Sequence, residues 1–368
     1  MKFSCEKEVL LKEILTAQEI ISSRNALSIL SNVYLEADND KLKIKATDLK
    51  VSFEVEIPVD VQISGRTTIF CDKFLGILRS LPEGEIVFEL SEENVFFIRP
   101  VFKKIDFQLR TMSPDKYPEI QKVSEDRFFK LPQKDFIDMI SKTIFAVSTD
   151  ETRYFMTGPY LERVDKSLVM VATDGRRLSL AKKELPGEIE GLKGVIIPTK
   201  ILNIVKKLSS GEGELEIAIT EKSIFIRLGE LNFSSSLIEG QFPNYQRVIP
   251  KDNKYMIVIK KSVLEDALKR VSVLAEQKSR KVLFFLKENS LIVASEENEV
   301  GQAKEELECE YSGPETVLAV NYIYVLEPLR EMGSEDISIE FTEETKAITL
   351  KPIPEEDYLH IVMPMQVT

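Results

Sequence analysis

The stretch that decides the fold reads Ser167-Leu168-Val169-Met170-Val171-Ala172-Thr173-Asp174-Gly175. Its apolar run is typical of a buried strand, and the run ends in a polar corner, Ala-Thr-Asp. The same corner follows an alternating strand at Ala46-Thr47-Asp48, and a related one, Ala294-Ser295-Glu296, follows a third strand. The corners begin at residues 46, 172 and 294, which are 126 and 122 residues apart. This near-constant spacing indicates an internal repeat.

Helical patterns recur around the corners at matching positions. One amphipathic pattern precedes each corner, and a second follows it and ends at a Gly or Pro, the usual stop signals of a helix. The predicted helices are 7–22, 72–81, 134–147, 199–208, 260–276 and 322–332. We therefore predict an α+β fold of three repeated modules, each made of two β-rich halves that carry one helix each. The predicted boundaries are 1–122, 123–250 and 251–368.

Composition narrows the class of protein. The chain has 368 residues, 43% of them hydrophobic and 30% charged, as expected for a soluble globular protein of two or three domains. We expect a cytoplasmic protein without a membrane span, because the N-terminus is charged from its second residue and no run approaches about 18 apolar residues. Three widely spaced cysteines and a single histidine argue against a disulfide framework, a zinc site and histidine-based acid–base catalysis. We therefore predict neither a metal site nor a cofactor.

The charge is unevenly distributed along the chain. The net charge of −12 argues against adhesion to nucleic acid over the whole surface. The six predicted helices nevertheless carry a net charge of +3, against −15 for the rest. Such helices are suited to face a phosphate backbone, although Lys and Arg also favour ordinary solvated helices. No base-reading motif is found, so we predict that any DNA binding is weak, independent of sequence and maintained by topology.

Two other functions fit parts of the sequence. Asp48 and Asp174 both follow strands and suggest a magnesium-dependent phosphoryl-transfer enzyme or nuclease. However, the repeat places them in separate modules, neither has a second carboxylate at ligand spacing, and no glycine-rich phosphate loop is present. The simpler interpretation is that both carboxylates bond turn amides at a strand corner. The other alternative is a protein-interaction scaffold that never meets DNA, and the basic helices argue against it.

Several segments resemble one protein family. The segments 172–178 (ATDGRRL), 240–248 (GQFPNYQRV) and 362–365 (VMPM) are similar to the hallmarks of the bacterial DNA sliding clamp, the β subunit of DNA polymerase III. Segments 23–24, 46–49, 107–117 and 311–313 follow in the family's order, so the resemblance covers essentially the whole chain. It implies a processivity factor rather than an enzyme. It also implies a head-to-tail homodimeric ring around duplex DNA, with helices inside and sheets outside.

The resemblance further implies a pocket between modules 2 and 3 for short linear peptides. The expected partners are the α subunit of DNA polymerase III, the clamp loader, repair polymerases and mismatch-repair proteins. An apolar cleft with adaptable methionines suits many partners, although from the residues alone 362–365 also fits a final core strand. The matching positions are Met156, Thr173, Gly175, Arg176, Arg177, Leu178, Pro243, Arg247, Val248, Tyr324, Ile361, Val362, Met363, Pro364 and Met365.

Two further groups of residues follow from the resemblance. The predicted DNA contacts are Arg24, Arg153, Tyr154, Phe155 and Lys200, with Lys206 and Lys207 as additional candidates that also fit a solvated helix face. The predicted dimer interface joins an edge strand of module 1 to a helix end of module 3. Its residues are Phe107, Leu109, Val273, Leu274, Lys73 and Glu299, with Arg99, Lys103 and Lys104 placed to meet Glu296, Glu297 and Glu305.

The chain departs from the family at two of these positions. Phe155 stands where the family often has Tyr, which removes a hydroxyl contact to DNA. Arg176 stands where His is common, so we expect an altered peptide preference.

Overall fold

A computed structural model describes residues 1–21, 28–184 and 192–367 of the chain. The backbone contacts group the chain into two compact units. Unit 1 combines Met1–Gln133 with Lys200–Leu237, and unit 2 combines Lys134–Thr199 with Ile238–Thr368. Each unit therefore joins segments that are far apart in sequence, and the predicted module bounds stay a prediction. None of the helices in the described ranges is long and apolar enough to cross a membrane.

Most of the regular secondary structure in the described residues is β-strand. In the first third of the chain they are β1 (Lys2–Glu6), β2 (Asn32–Asp38), β3 (Lys41–Thr47), β4 (Val51–Pro58), β5 (Asp60–Ile63), β6 (Gly65–Phe70), β7 (Glu85–Leu90), β8 (Val95–Pro100) and β9 (Phe107–Arg110). The middle third holds β10 (Phe129–Pro132), β11 (Tyr160–Val164), β12 (Ser167–Thr173), β13 (Arg177–Glu184), β14 (Val195–Ile196), β15 (Glu214–Ile219), β16 (Ser223–Leu228) and β17 (Leu231–Ser236). The last third holds β18 (Tyr255–Lys260), β19 (Lys281–Lys287), β20 (Ser290–Ser295), β21 (Lys304–Glu308), β22 (Thr316–Asn321), β23 (Asp336–Phe341), β24 (Ile348–Ile353) and β25 (Tyr358–Val362).

Six α-helices lie in the described residues, and all six were predicted. They are α1 (Lys7–Ile20), α2 (Cys71–Ser80), α3 (Gln133–Thr143), α4 (Thr199–Leu208), α5 (Lys261–Val271) and α6 (Tyr322–Glu331). The third and fifth end earlier than predicted, because the chain tightens into the 3-10 turns Ile144–Ala146 and Ser272–Leu274. Five helices begin at the residue after a strand, and α4 follows β14 by two residues.

Unit 1 contains two antiparallel sheets. A five-stranded sheet has the order β5-β1-β7-β8-β9, and an eight-stranded sheet has the order β10-β15-β16-β17-β4-β3-β2-β6. The helix α1 packs on α2 and on β3 and β4. Three phenylalanines form the centre of the core under the smaller sheet, with ring centroids 4.9 Å apart for Phe3 and Phe88 and 5.9 Å apart for Phe88 and Phe96. Their complete burial accounts for a large part of the apolar stabilisation there.

Unit 2 repeats this arrangement. Its eight-stranded sheet has the order β14-β11-β12-β13-β25-β24-β23-β18, and its four-stranded sheet has the order β21-β20-β19-β22. The helix α5 packs on α6, β20 and β21. A cluster of buried apolar side chains supports the larger sheet; it consists of Val169, Val171, Leu178, Ile196, Phe242, Tyr245 and Ile361. The predicted α+β arrangement is confirmed in both units.

Strand pairing follows one rule in all three repeats. Each helix is preceded by a leading strand and followed by three more strands, and after α1 there is an additional short strand, β5, which pairs with β1. The leading strand pairs with the strands of the other half: β1 with β7, β6 with β2, β10 with β15, β14 with β11, β18 with β23 and β22 with β19. In the first and third repeats, each of which lies within one unit, the two halves are therefore interlocked by hydrogen bonds.

A second pairing joins segments of neighbouring repeats. The third strand after α1, β4, pairs with the third strand after α4, β17, and Phe53 lies opposite Phe233. In the same way, the third strand after α3, β13, pairs with the third strand after α6, β25, and Arg177 lies opposite Val362. Each eight-stranded sheet therefore runs without interruption across two repeats.

Candidate functional site

Two of the three corners share one hydrogen-bond pattern. The Thr173 hydroxyl donates to the Arg177 carbonyl (2.6 Å), and one Asp174 carboxylate oxygen accepts the amides of Arg176 (2.9 Å) and Arg177 (3.0 Å). In the first repeat Thr47 and Asp48 make the same bonds, with Asp48 accepting the amides of residues 50 and 51. The prediction that these carboxylates bond turn amides is confirmed. Within the described ranges no group of three or more His, Cys, Asp or Glu side chains is placed to hold a metal ion.

The residue that follows the Ala-Thr-Asp corner has a positive φ angle in the first two repeats. It is +86° at Gly175 and +76° at Leu49. The second corner is also sterically crowded, because a Cβ atom on Gly175 would lie 3.2 Å from Nη1 of Arg153. Glycine satisfies both the backbone conformation and the close approach.

Arg177 fixes the second corner to the helix α6. Its guanidinium donates to the second Asp174 carboxylate oxygen (3.1 Å), to the Glu327 carboxylate and to the Phe145 carbonyl (2.5 Å). It also lies 4.6 Å from the centre of the Tyr324 ring. This buried side chain has its donors engaged within the protein, so it shapes the wall of the neighbouring cavity.

A cavity of about 150 Å³ lies beside this corner. Its lining is predominantly apolar, and Met363 at its rim is 44% exposed. Ten of the predicted peptide-binding residues line it together with two others; the full lining is Met156, Thr173, Gly175, Arg176, Arg177, Leu178, Pro243, Asn244, Tyr245, Val248, Ile361 and Met363. The structure thus brings most of the predicted pocket together around one apolar depression.

The other five predicted residues do not line this cavity. Val362 is fully buried and lies opposite Arg177 in the sheet, and Tyr324 lies against the Arg177 guanidinium. The Met365 amide donates to the carbonyl of Ala319 on β22 (2.7 Å). The remaining two are Arg247, which is exposed, and Pro364, which is half-buried. The interpretation of this segment as a core strand therefore applies to Val362, while Met363 faces the cavity.

Asn244 and Tyr245 were not predicted from the sequence. Tyr245 is buried, and its hydroxyl donates to a Glu162 carboxylate oxygen at 2.6 Å. Burial and the bond to Glu162 raise the pKa of the Tyr245 hydroxyl. Tyr245 and Glu162 are 83 residues apart in the sequence, so no local sequence pattern predicts their hydrogen bond.

The predicted DNA contacts have different surroundings. Arg24 lies outside the described residues. Arg153 donates to the Asp150 carboxylate (3.1 Å) and to the Asp174 carbonyl (2.9 Å). The adjoining Tyr154 is exposed, whereas Phe155 packs against the apolar cluster of unit 2.

Lys200 is an ion-pair partner of the first corner. Its ammonium donates to the Asp48 carboxylate (2.5 Å) and to the Ile20 carbonyl (2.6 Å). Partial burial disfavours ionisation of Asp48, but the bonds from Lys200 and from the turn amides outweigh it and hold the pKa of Asp48 below its usual range. The charge of Lys200, one of the predicted DNA contacts, is therefore already partly neutralised within the protein. On the same helix, Lys207 pairs with Glu19 at 2.6 Å.

The predicted interface residues lie on the outermost strands of two sheets or near them. Phe107 and Leu109 are half-buried on β9, and Val273 is 79% exposed at the end of α5. Leu274 accepts a hydrogen bond from the Asn298 amide (2.9 Å), in the loop that leads to β21. The two charged candidates, Lys73 and Glu299, are both exposed.

Two other predicted acidic partners already have ion pairs. Glu305 receives two hydrogen bonds from Arg270 (2.6 and 2.9 Å), and Glu296 pairs with Lys281.

Comparisons with known proteins agree with this geometry. Models of the N-terminal, central and C-terminal domains of the DNA polymerase III beta subunit match residues 1–121, 130–244 and 246–366. The chain is 44% identical over 370 residues to the beta sliding clamp of Treponema pallidum and 30% identical over 369 residues to that of Escherichia coli K12, with full coverage of both chains each time. A crystal structure of the Pseudomonas aeruginosa sliding clamp bound to griselimycin superposes with a TM-score of 0.94 at 27% identity, covering both chains completely. The chain belongs to the family of the DNA polymerase III beta subunit, the beta sliding clamps.

Proposed function

We propose that two copies of this chain form a head-to-tail ring that encircles duplex DNA and acts as a processivity factor without catalysis. In this proposal the ring tethers the replicative polymerase and other DNA-processing proteins through the cavity beside Met363. The single observation that carries the proposal is the pairing between strands of neighbouring repeats, β4 with β17 and β13 with β25.

This pattern of pairing leaves two corresponding strands, β21 and β9, at the edges of their sheets in the described residues. Within the chain, the third strand of a module's first half pairs with the third strand of the next module's second half: β4 with β17, and β13 with β25. The corresponding strands still to be matched are β21 and β9. In the described residues β21 is paired only with β20, and β9 only with β8. Pairing β21 with β9 of a second copy satisfies both edges, and a head-to-tail contact that closes makes a ring.

The side chains beside these edges suit such an interface. Phe107 and Leu109 alternate with polar residues along β9. Val273 is exposed, and the neighbouring half-buried Leu274 contacts the loop into β21. Lys73 in module 1 and Glu299 in module 3 carry opposite charges on the two sides of the proposed interface. Rim pairs of this kind set register and contribute little affinity.

Solution mass tests the dimer directly. The chain has a mass of 42.0 kDa, so the wild type is expected to sediment at twice that mass. Val273→Asp is expected to shift the protein towards monomer because it places an unpaired charge in an apolar contact. Leu49→Asp is the control, since Leu49 is comparably exposed at a corner away from both edges. A wild-type monomer at micromolar concentration contradicts the ring.

Retention on DNA tests encirclement. Protein loaded by the clamp loader is expected to remain on closed circular DNA and to leave after the circle is linearised. Equal loss from both forms contradicts topological binding. Arg24, Arg153, Tyr154, Phe155 and Lys200 are the proposed DNA contacts, and their substitution is expected to change sliding more than retention, because ring closure holds the protein on the circle.

Peptide binding tests the pocket. The proposed partners are the α subunit of the polymerase, the clamp loader, repair polymerases and mismatch-repair proteins, each through a short linear peptide. A labelled peptide that contains Gln, Leu and Phe is expected to bind, and the double variant Met363→Ala, Pro243→Ala is expected to bind it at least tenfold more weakly. Met256→Ala is the matched control, because Met256 is exposed on β18 outside the cavity. Equal affinity of all three proteins contradicts the site.

A further inference from the structure

One carboxylate behind the peptide pocket receives hydrogen bonds from two tyrosines. Glu162 on β11 accepts the Tyr245 hydroxyl on one oxygen at 2.6 Å and the Tyr160 hydroxyl on the other at 3.3 Å. The ring of Tyr160 in turn stacks on Phe242 with centroids 4.8 Å apart and an interplanar angle of 7°. Glu162 does not line the cavity, so it acts on the pocket only through these neighbours.

The tyrosines and Phe242 determine the position of one pocket wall. Pro243, Asn244, Tyr245 and Val248 line the cavity, and three of them lie outside regular secondary structure. Phe242 and Tyr245 are the residues of this wall that are buried in the apolar cluster, and both are connected to Glu162. A short irregular segment with two such anchors loses few conformational states when a peptide binds, which favours affinity.

The internal repeat supplies a comparison within the same chain. Tyr34-Leu35-Glu36 on β2 corresponds to Tyr160-Leu161-Glu162 on β11, and the Tyr34 hydroxyl donates to Glu36 at 3.2 Å. Segment 117–123 (YPEIQKV) corresponds to 242–248 (FPNYQRV). The Tyr34 and Tyr117 rings lie 5.4 Å apart at the corresponding position, but they are tilted by 43°, whereas Tyr160 and Phe242 are stacked.

The two repeats differ at the position of Tyr245. Ile120 stands there in the first repeat and has no hydroxyl to donate to Glu36. The groove at that corner is lined largely by polar groups, with Lys50 and the serines 234–236, whereas the pocket at the second corner is largely apolar. The additional hydrogen bond thus occurs in the repeat that has the apolar pocket.

We propose that Glu162 is a positioning residue of the peptide pocket, which holds the wall 242–248 in its binding conformation through the Tyr245 hydroxyl. This inference rests on the proposed peptide-binding function. Glu162 does not line the cavity, so it acts on peptide affinity only by holding the Tyr245 hydroxyl in place.

A double-mutant cycle on peptide affinity tests the transmission. Glu162→Ala and Tyr245→Phe are each expected to weaken binding of the Gln-, Leu- and Phe-containing peptide about tenfold, as for loss of one charge-assisted hydrogen bond. The double variant is expected to be no weaker than Glu162→Ala alone, because the bond that Tyr245→Phe removes is already absent there. Glu162→Gln keeps an acceptor for Tyr245 and is expected to restore affinity to within about threefold of the wild type. Additive effects, or a Gln variant as weak as the Ala variant, overturn the inference.

The repeat also supplies the matched control. Glu36→Ala removes the corresponding carboxylate beside Tyr34 and is expected to leave peptide affinity unchanged. Equal weakening by Glu36→Ala and Glu162→Ala indicates a general loss of stability and overturns the inference.

Hydrogen exchange separates this inference from the proposed function. In the protein without peptide, the amides of 244–248 are expected to exchange faster in Glu162→Ala than in the wild type or in Glu36→Ala. Unchanged exchange overturns the positioning role whether or not the peptide binds. If the wild type binds no peptide but exchange increases as expected, the proposed peptide function fails while the positioning of this wall by Glu162 stands.

Discussion

The single histidine of the chain allows a pH effect on stability to be assigned to one residue. His360 is completely buried on β25, where its ring lies 5.6 Å from that of Phe145. Burial, with a further contribution from the positive charge of Arg177, lowers the pKa of His360 from 6.5 to about 3. At neutral pH the ring is therefore uncharged in the folded protein. Lowering the pH from 7.5 to 5.5 tests how this neutral ring affects the free energy of unfolding.

The magnitude follows from linkage. Because the folded pKa lies below the unfolded value, protons bind the unfolded chain first, and the stability contributed by the neutral ring is complete above pH 6.5 and falls as pH is lowered towards 3. At pH 5.5 an unfolded imidazole is about ten-elevenths protonated while the folded one stays neutral. The free energy of unfolding is thus expected to drop by about 1.4 kcal/mol between pH 7.5 and pH 5.5, or roughly 3–6 °C in Tm for a unit of this size.

Thermal unfolding at fixed protein concentration measures this effect in the wild type and in His360→Leu. The range stays above the pI of about 5.0, where solubility is lowest. The variant is expected to lose the 1.4 kcal/mol dependence, whatever its absolute stability, since no other histidine is present. The single imidazole signal in an NMR spectrum of the wild type should not shift between pH 7.5 and 5.5. A signal that titrates near 6.5, or equal pH dependence in both proteins, refutes the reasoning.

Two further predictions use pairs of matched positions. Arg177→Met is expected to lower the free energy of unfolding by about 3–5 kcal/mol, because it leaves Asp174 and Glu327 without their buried cation. Lys200→Met removes a cation whose side chain is 34% exposed, against 9% for Arg177, and should lower it by about 1 kcal/mol; equal losses in urea unfolding contradict this. Gly175→Ala is expected to destabilise by about 1–2 kcal/mol because of its positive φ, whereas Gly76→Ala within α2, where a Cβ meets nothing within 4 Å, should stabilise by about 0.5–1 kcal/mol; calorimetry should show shifts of opposite sign.

The helices and corners are predictable because their signals are local. A helix requires an apolar stripe and a stop signal within about 15 residues, and all six were found in this way. The hydrogen bonds of Asp48 and Asp174 span only two or three residues, so their role in the turn follows from the spacing alone. Repetition strengthened these predictions, since each pattern occurs in more than one copy.

Long-range pairing is not predictable from the same signals. Nothing in β4 specifies β17 as its neighbour, because any strand with matching alternation presents the same backbone groups. The same limit explains why Tyr245 was missed, since its role depends on a carboxylate 83 residues away. Arg177 was predicted as a peptide contact from the resemblance to the family, and its burial was not predicted, because arginine is usually exposed. That burial depends on Glu327 and Phe145, which only the folded chain brings close.

The pairing of β4 with β17, and of β13 with β25, has a consequence for synthesis on the ribosome. In each pair the partner strand is translated about 180 residues later. Because translation adds about 5–20 residues per second, the earlier strand has an unpaired edge for roughly 10–35 s before its partner is made. Both waiting strands carry charges that discourage intermolecular pairing, Glu54 and Glu56 on β4 and Lys182 and Lys183 on β13. These side chains are therefore expected to reduce pairing of the open edge with other chains until the later strand emerges.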